Sequence, residues 1–183
     1  MGEPKKVQPE PQPGLDDLFS VVYEELRRIA SFVRKGEAHA TISSTGLVHE
    51  AWLKLKLSPA FAAESPAHFK AIAANAMRQV LVDEARRRGA RKRGGSGETI
   101  FVSLDDAALA AGSSDEELLV LDADLKELAR LSPRQAQVVV DRFFGGMSVA
   151  ETAEVLGVSE SAVERDWRAA RAWLASRPQP DGE

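Results

Sequence analysis

The stretch from Ser132 to Leu174 constrains this chain most, because serine-led openings and glycine stops divide it into short helices of fixed order. Ser132-Pro133-Arg134-Gln135 sets a capping serine, a proline at the first helical position and a glutamine three residues after the cap ahead of Val138, Val139 and Phe143, the pattern of a capping box. Gly145-Gly146 stops that helix. Ser148-Val149-Ala150-Glu151 repeats the box, and the short helix it opens runs to Gly157, a residue free to take positive φ and reverse the chain. Ser159 then caps a last helix. Small Ala153 allows close approach, Leu156 and Val158 flank the glycine, and Val163 and Trp167 fall on the inner face. Ser161, Glu164, Arg165, Arg168 and Arg171 are left facing outward. A short helix, a tight turn and an arginine-bearing helix are the parts of a helix-turn-helix, whose second helix enters a DNA major groove. Arginine pairs with guanine or phosphate, and a glutamate accepts from cytosine N4. Taken singly, the same side chains are also what any solvated helix face carries.

The rest of the chain is helical in pattern too. Leu15, Leu18, Phe19, Val22, Leu26, Ile29 and Val33 recur at three- and four-residue steps and predict a first helix ending near Gly36. Leu47, Val48, Ala51, Trp52 and Leu55 predict a second, with caps among Ser43, Ser44 and Thr45 and a stop at Ser58-Pro59. Its other face carries His49, Glu50, Lys54 and Lys56. A third opens at Ser65-Pro66 and carries Phe69, Ile72, Ala73, Ala76, Met77 and Val80 into a basic end, with Asn75, Arg78 and Gln79 on its exposed side. Arg86 to Arg93 then holds six bases in eight residues, which suits either a nucleic-acid contact or a solvated helix end. Gly94 to Leu125 has eight acids and no base. Its second half repeats Leu118, Leu121, Leu125 and Leu128 at helical spacing, predicting a helix over about 115–130 with acids at its N-terminus. Ile100 to Leu104 is the sole strand candidate and too isolated to build a sheet. The expected fold is all-α: a Pro-rich tail (1–14), a first helical domain (15–93), an acidic linker (94–114), a second helical domain (115–176) and a short tail (177–183).

Composition limits the function. At 183 residues and 44% hydrophobic content the chain is long and apolar enough to fold. It has no cysteine, so thiolate metal sites and cysteine nucleophiles are excluded. His39, His49 and His68 lack ligand spacing, and Gly94-Gly95-Ser96-Gly97 is not followed by the Lys-Ser/Thr of a phosphate loop. No catalysis, cofactor, metal or small-molecule substrate is expected. Neither a signal peptide nor a membrane span is legible, and a cytoplasmic protein is the expectation. The net charge of -4 means that nucleic acid would be held through local patches rather than bulk charge.

Three stretches carry a resemblance. Leu47-Val48-His49-Glu50-Ala51-Trp52-Leu53, Ala74-Asn75-Ala76 through Asp83-Glu84-Ala85-Arg86-Arg87, and Leu131-Ser132-Pro133-Arg134-Gln135 through Arg171 together resemble the extracytoplasmic-function sigma factors, two-domain initiation subunits of bacterial RNA polymerase. The likeness covers Leu15 to Leu174. It implies a first domain that binds core polymerase through Leu47, His49, Glu50 and Trp52 and opens the minus-10 element. Asn75, Arg78 and Gln79 would take part in reading an unstacked base, and Arg86, Arg87 and Arg88 would hold the strand backbone. The second domain would read the minus-35 element through Ser159, Ser161, Glu164, Arg165, Arg168 and Arg171, while the acidic linker threads a basic polymerase channel. Glu164 stands where many relatives carry a base, and His49 where glutamine is commoner. The implied partners are core RNA polymerase, promoter DNA and an anti-sigma protein. Two other readings remain open: a stand-alone helix-turn-helix regulator, and an interaction protein that titrates polymerase or an anti-sigma protein without touching DNA.

Overall fold

A computed structural model describes residues 14–33, 42–57, 63–91 and 115–177. Among them there is no strand, and the fold is all-α. The linker expected over 94–114, the strand candidate at 100–104 and the two tails fall outside the described residues, save Gly14 and Arg177.

Helix α1 (Leu15–Val33) buries Leu18, Val22, Leu26 and Ala30 on one face. Helix α2 (Ser44–Lys56) starts where the Ser43 hydroxyl accepts from the Gly46 amide, and it buries Leu47, Val48, Ala51 and Leu55. Helix α3 (Pro66–Arg91) opens with the Ser65 hydroxyl accepting from the His68 amide at 3.1 Å. The basic run is thus the end of α3 itself, at least through Arg91, rather than a segment following it.

A single apolar stripe on α3, as the sequence suggests, would pack against α1 and α2 alone. The structure buries α3 on most of its circumference instead, with Phe69, Ala73, Ala74, Met77, Val80, Leu81, Val82 and Ala85 all in the core. Its alanines leave room for neighbours on several sides. Helices α1 and α2 take one side; α4 (Asp115–Leu131), α6 (Val149–Leu156) and a π-helical turn over Val140–Phe144 take the other. One contiguous apolar cluster therefore runs from Leu18 to Ala170 across the halves. Each fully buried Leu, Val or Phe in such a cluster contributes about 1.5–3 kcal/mol.

Helix α5 (Pro133–Val139) departs from expectation at both ends. Ser132 makes no side-chain cap bond, so the expected capping box is absent. Its amide already donates to the Leu128 carbonyl at 2.7 Å, closing α4, and is spent before Gln135 could return the bond. At the other end the helix widens into the π turn before reaching Gly145, with the Gly145 amide donating to the Val140 carbonyl at 3.2 Å. A Cβ on Gly145 would lie 2.5 Å from the Asp141 carbonyl and 3.0 Å from the Ala74 Cβ, so glycine lets this turn press against α3. Helix α7 (Glu160–Ala175) completes the chain.

Candidate nucleic-acid interface

The C-terminal candidate face is built on α6, the Gly157 turn and α7. Ser148 and Glu151 form the expected box: the Glu151 amide donates to the Ser148 hydroxyl at 3.1 Å, and the Ser148 amide donates to the Glu151 carboxylate at 2.8 Å. Gly157 has φ of 63°, in the left-handed region, and the Val158 amide closes back on the Ala153 carbonyl at 3.1 Å. The Ser159 hydroxyl accepts from the Ala162 amide at 3.3 Å and starts α7 in a fixed direction. Beneath, Ala153, Ala162, Val163, Trp167 and Ala170 are buried, and Asp166 binds Arg134 of α5 through a 2.6 Å contact. Above, Ser159, Ser161, Glu164, Arg165 and Arg168 are exposed. Arg171 is half-buried, its guanidinium 5.9 Å from the centre of the Trp167 ring. The face thus carries hydrogen-bonding and cationic groups on a rigid base.

On α2, His49 and Glu50 are exposed and Leu53 retains 46% of its surface. His49 stacks on Tyr23 at 5.8 Å, and half-buried Trp52 packs on Phe19 at 5.6 Å beneath the Lys56 ammonium. Leu47 has no exposed surface; it anchors the helix and leaves surface contact to its neighbours.

The α3 residues are placed differently from the sequence expectation. Asn75 is half-buried and turns its amide back onto the Ala71 carbonyl at 3.1 Å. Gln79, Arg86 and Arg87 are exposed. Arg78, expected on the open side, is engaged by α4: it donates from Nε (3.1 Å) and Nη2 (2.8 Å) to the Asp122 carboxylate. Arg88 pairs likewise with Asp115, at 2.7 Å from Nε. A cavity of about 340 Å³ remains between these elements, lined by Lys54, Asn75, Arg78, Gln79, Arg86 and Asp122. Burial opposes the ionised form of Asp122, but the Lys126 and Arg78 partners outweigh it and hold the carboxyl below the usual aspartate range.

Three further charged residues shape this region, of which the sequence marks only Glu151, and that one as a helix cap. Lys70 is 2% exposed, and its ammonium lies 2.8 Å from Glu25 of α1 and 2.6 Å from Glu151 of α6. Glu151 is held below its ordinary range because Lys70 and the Ser148 cap outweigh its burial. Asp141 is wholly buried in the π turn, accepts from Gln137 at 2.7 Å through one oxygen and has no partner for the other. That burial pushes its carboxyl up to about 6. A lone lysine between Phe69 and Ala71 on an apolar helix was the available signal for the first; Glu151 was legible as a cap but not as a partner of Lys70, and Asp141 looked like an ordinary helix-surface acid.

Exposed arginines thus stand on a capped helix behind a glycine turn, carried by a packed all-helical core. A family model described as ECF sigma factor matches residues 8–179, and the chain belongs to that family. Its role is therefore sigma-factor-like, in transcription, and the family is one of transcription factors rather than enzymes. Neither curated proteins nor solved structures give a match. Among the described residues no helix is long and apolar enough to cross a membrane, and no cluster of metal-ligating side chains occurs.

Proposed function

We propose that this protein directs bacterial core RNA polymerase to specific promoters as a two-part specificity subunit. The carrying observation is the bare α7 face, where Ser161, Glu164, Arg165 and Arg168 stand exposed on a base fixed by Val163 and Trp167. In this reading α7 enters the major groove at the minus-35 element, and Arg165 and Arg168 supply guanine or phosphate contacts. The exposed side of α2, with His49, Glu50 and the edge of Trp52, meets the polymerase. Asn75, Arg78, Gln79 and the Arg86–Arg88 cluster engage the minus-10 strand. Residues 15–93 and 115–176 act as separate functional halves in the cytoplasm, joined by the acidic linker, and an anti-sigma protein is the partner class suited to restrain them.

The net charge of -4 favours this over an autonomous repressor, since a chain of that charge gains little from counterion release on duplex DNA. The test is reconstitution with core polymerase, selection of bound sequences from a random duplex library, and run-off transcription from the winners. Binding to core with transcription from a shared two-element motif is the expected result. Failure to bind core, or to transcribe from any selected sequence, refutes the proposal.

A further inference from the structure

We infer that the polar cavity between α2, α3 and α4 is a binding site for a nucleoside monophosphate, with the phosphate among the cations of its rim and the base against two side-chain amides of α3. This goes beyond promoter reading, since two of the cations that it uses, Lys54 and Lys126, belong to neither the DNA nor the polymerase contacts proposed for this chain.

The cavity has a fixed floor and a loose rim. Its floor is the paired contact of Arg78 with Asp122, whose side chains keep 16% and 7% of their surface, together with the buried Val82. On the rim Lys54 lies 2.8 Å from Asp83, Lys126 lies 2.7 Å from Asp122, and Arg86 lies 3.4 Å from the same carboxylate. All three rim cations are well exposed. Exposed ion pairs are weakly held, so these side chains can turn to a ligand at little cost. The volume of about 340 Å³ falls within the range of small-molecule sites, about 300–1,000 Å³.

Charge selects the phosphate. Lys54, Arg78, Arg86 and Lys126 line the cavity against the carboxylates of Asp83 and Asp122 alone, leaving two positive charges in excess. A phosphate monoester carries close to two negative charges at neutral pH, because its second pKa is about 6. Each phosphodiester of a DNA strand carries only one. The surplus therefore matches a free monophosphate better than a strand.

Spacing selects the rest of the ligand. Asn75, Gln79, Val82 and Arg86 follow at three- and four-residue steps and so form one stripe along α3. Gln79 and Arg86 stand about 10 Å apart along the helix axis, at about 1.5 Å per residue, which leaves room for a sugar between base and phosphate. The Gln79 amide makes no hydrogen bond within the described residues, and Asn75 spends one N–H on the Ala71 carbonyl and keeps its amide oxygen. Asparagine and glutamine amides match the N6 and N7 edge of adenine, so adenosine monophosphate is the probe of choice.

Calorimetric titration of the full chain with AMP at low ionic strength should show one saturable site with a dissociation constant below about 1 mM. Adenosine and inorganic phosphate, each offering half of the ligand, should bind at least about tenfold more weakly. Lys126→Ala and Lys54→Ala should each weaken AMP roughly tenfold by removing a charge-assisted contact. Arg27→Ala removes the same charge at an exposed α1 site that pairs with Glu24 and should stay within about twofold. Circular dichroism confirms that each variant is folded, and the two lysines on different helices give independent tests. Absence of saturable AMP binding by the wild-type chain overturns the inference. So does phosphate binding as tightly as AMP, wild-type affinity in either folded lysine variant, or an equal loss in Arg27→Ala. Run-off transcription by the wild-type holoenzyme keeps the claims apart: transcription without AMP binding sinks this site alone, and AMP binding without transcription sinks the sigma reading alone.

Discussion

Replacing Asp141 by asparagine should change the way stability depends on pH. The carboxyl sits wholly buried in the π turn with one oxygen unpartnered, and burial raises it from 3.8 to about 6. A carboxyl raised on folding binds its proton more tightly in the folded state, so its contribution is fully present below the unfolded value and is lost as pH rises through about 6. That rise is worth about 3 kcal/mol over the full range. Between about pH 5 and pH 8, where the unfolded group is already mostly ionised, about 1 kcal/mol of that remains to be lost. The Asp141→Asn variant has no such titration. Its buried amide carries a fixed penalty of about 1–3 kcal/mol, equal at both pH values, which cancels when each protein is compared with itself. Urea unfolding followed by circular dichroism at constant ionic strength should therefore show wild type losing about 1 kcal/mol more than Asp141→Asn from about pH 5 to pH 8. Parallel stability curves over that interval would refute the reasoning, for they would mean that water or a neighbour stabilises the carboxylate in the folded state.

The other expectations address the interface. Arg165→Ala should weaken recognition of a selected upstream duplex by about 1–3 kcal/mol and leave the melting temperature within about a degree, because the side chain is exposed; binding isotherms of the holoenzyme check this. Glu50→Lys, also at an exposed position, should reduce affinity for core polymerase in a pull-down titration while thermal unfolding stays unchanged. Gly157→Ala meets no atom within 4 Å yet must hold φ near 63°, so it should cost about 1–2 kcal/mol from backbone strain alone, measured by denaturant unfolding.

Much of this molecule is readable from residue order because helix signals are local. A capping serine needs only the next three residues, and Ser43, Ser148 and Ser159 all cap as their neighbours predict. Gly157 needs only its own freedom to reverse the chain, and Val163 and Trp167 lie inward while Ser161, Glu164, Arg165 and Arg168 lie outward by helical period alone. Ser132 marks the boundary of that legibility. Its sequence motif matches a box, but its amide was already committed to α4, and competition for one donor between successive helices is invisible to a four-residue pattern.

Residue order alone gives most of the helices, the Gly157 turn, the exposed Arg165 and Arg168 and the likeness to the family. Tertiary structure alone decided what α3 touches. Its alanine-rich surface is compatible with one partner layer or two, and only packing shows α4, α6 and the π turn against it. Arg78 and Arg88 read in sequence as open strand contacts and Lys70 as an ordinary cation, for their partners Asp122, Asp115 and Glu151 stand many residues away along the chain. Such pairings depend on how helices are set in space, since Coulomb attraction and desolvation act over ångströms rather than over sequence separation. That is why a face that looks open in the sequence is covered in the fold.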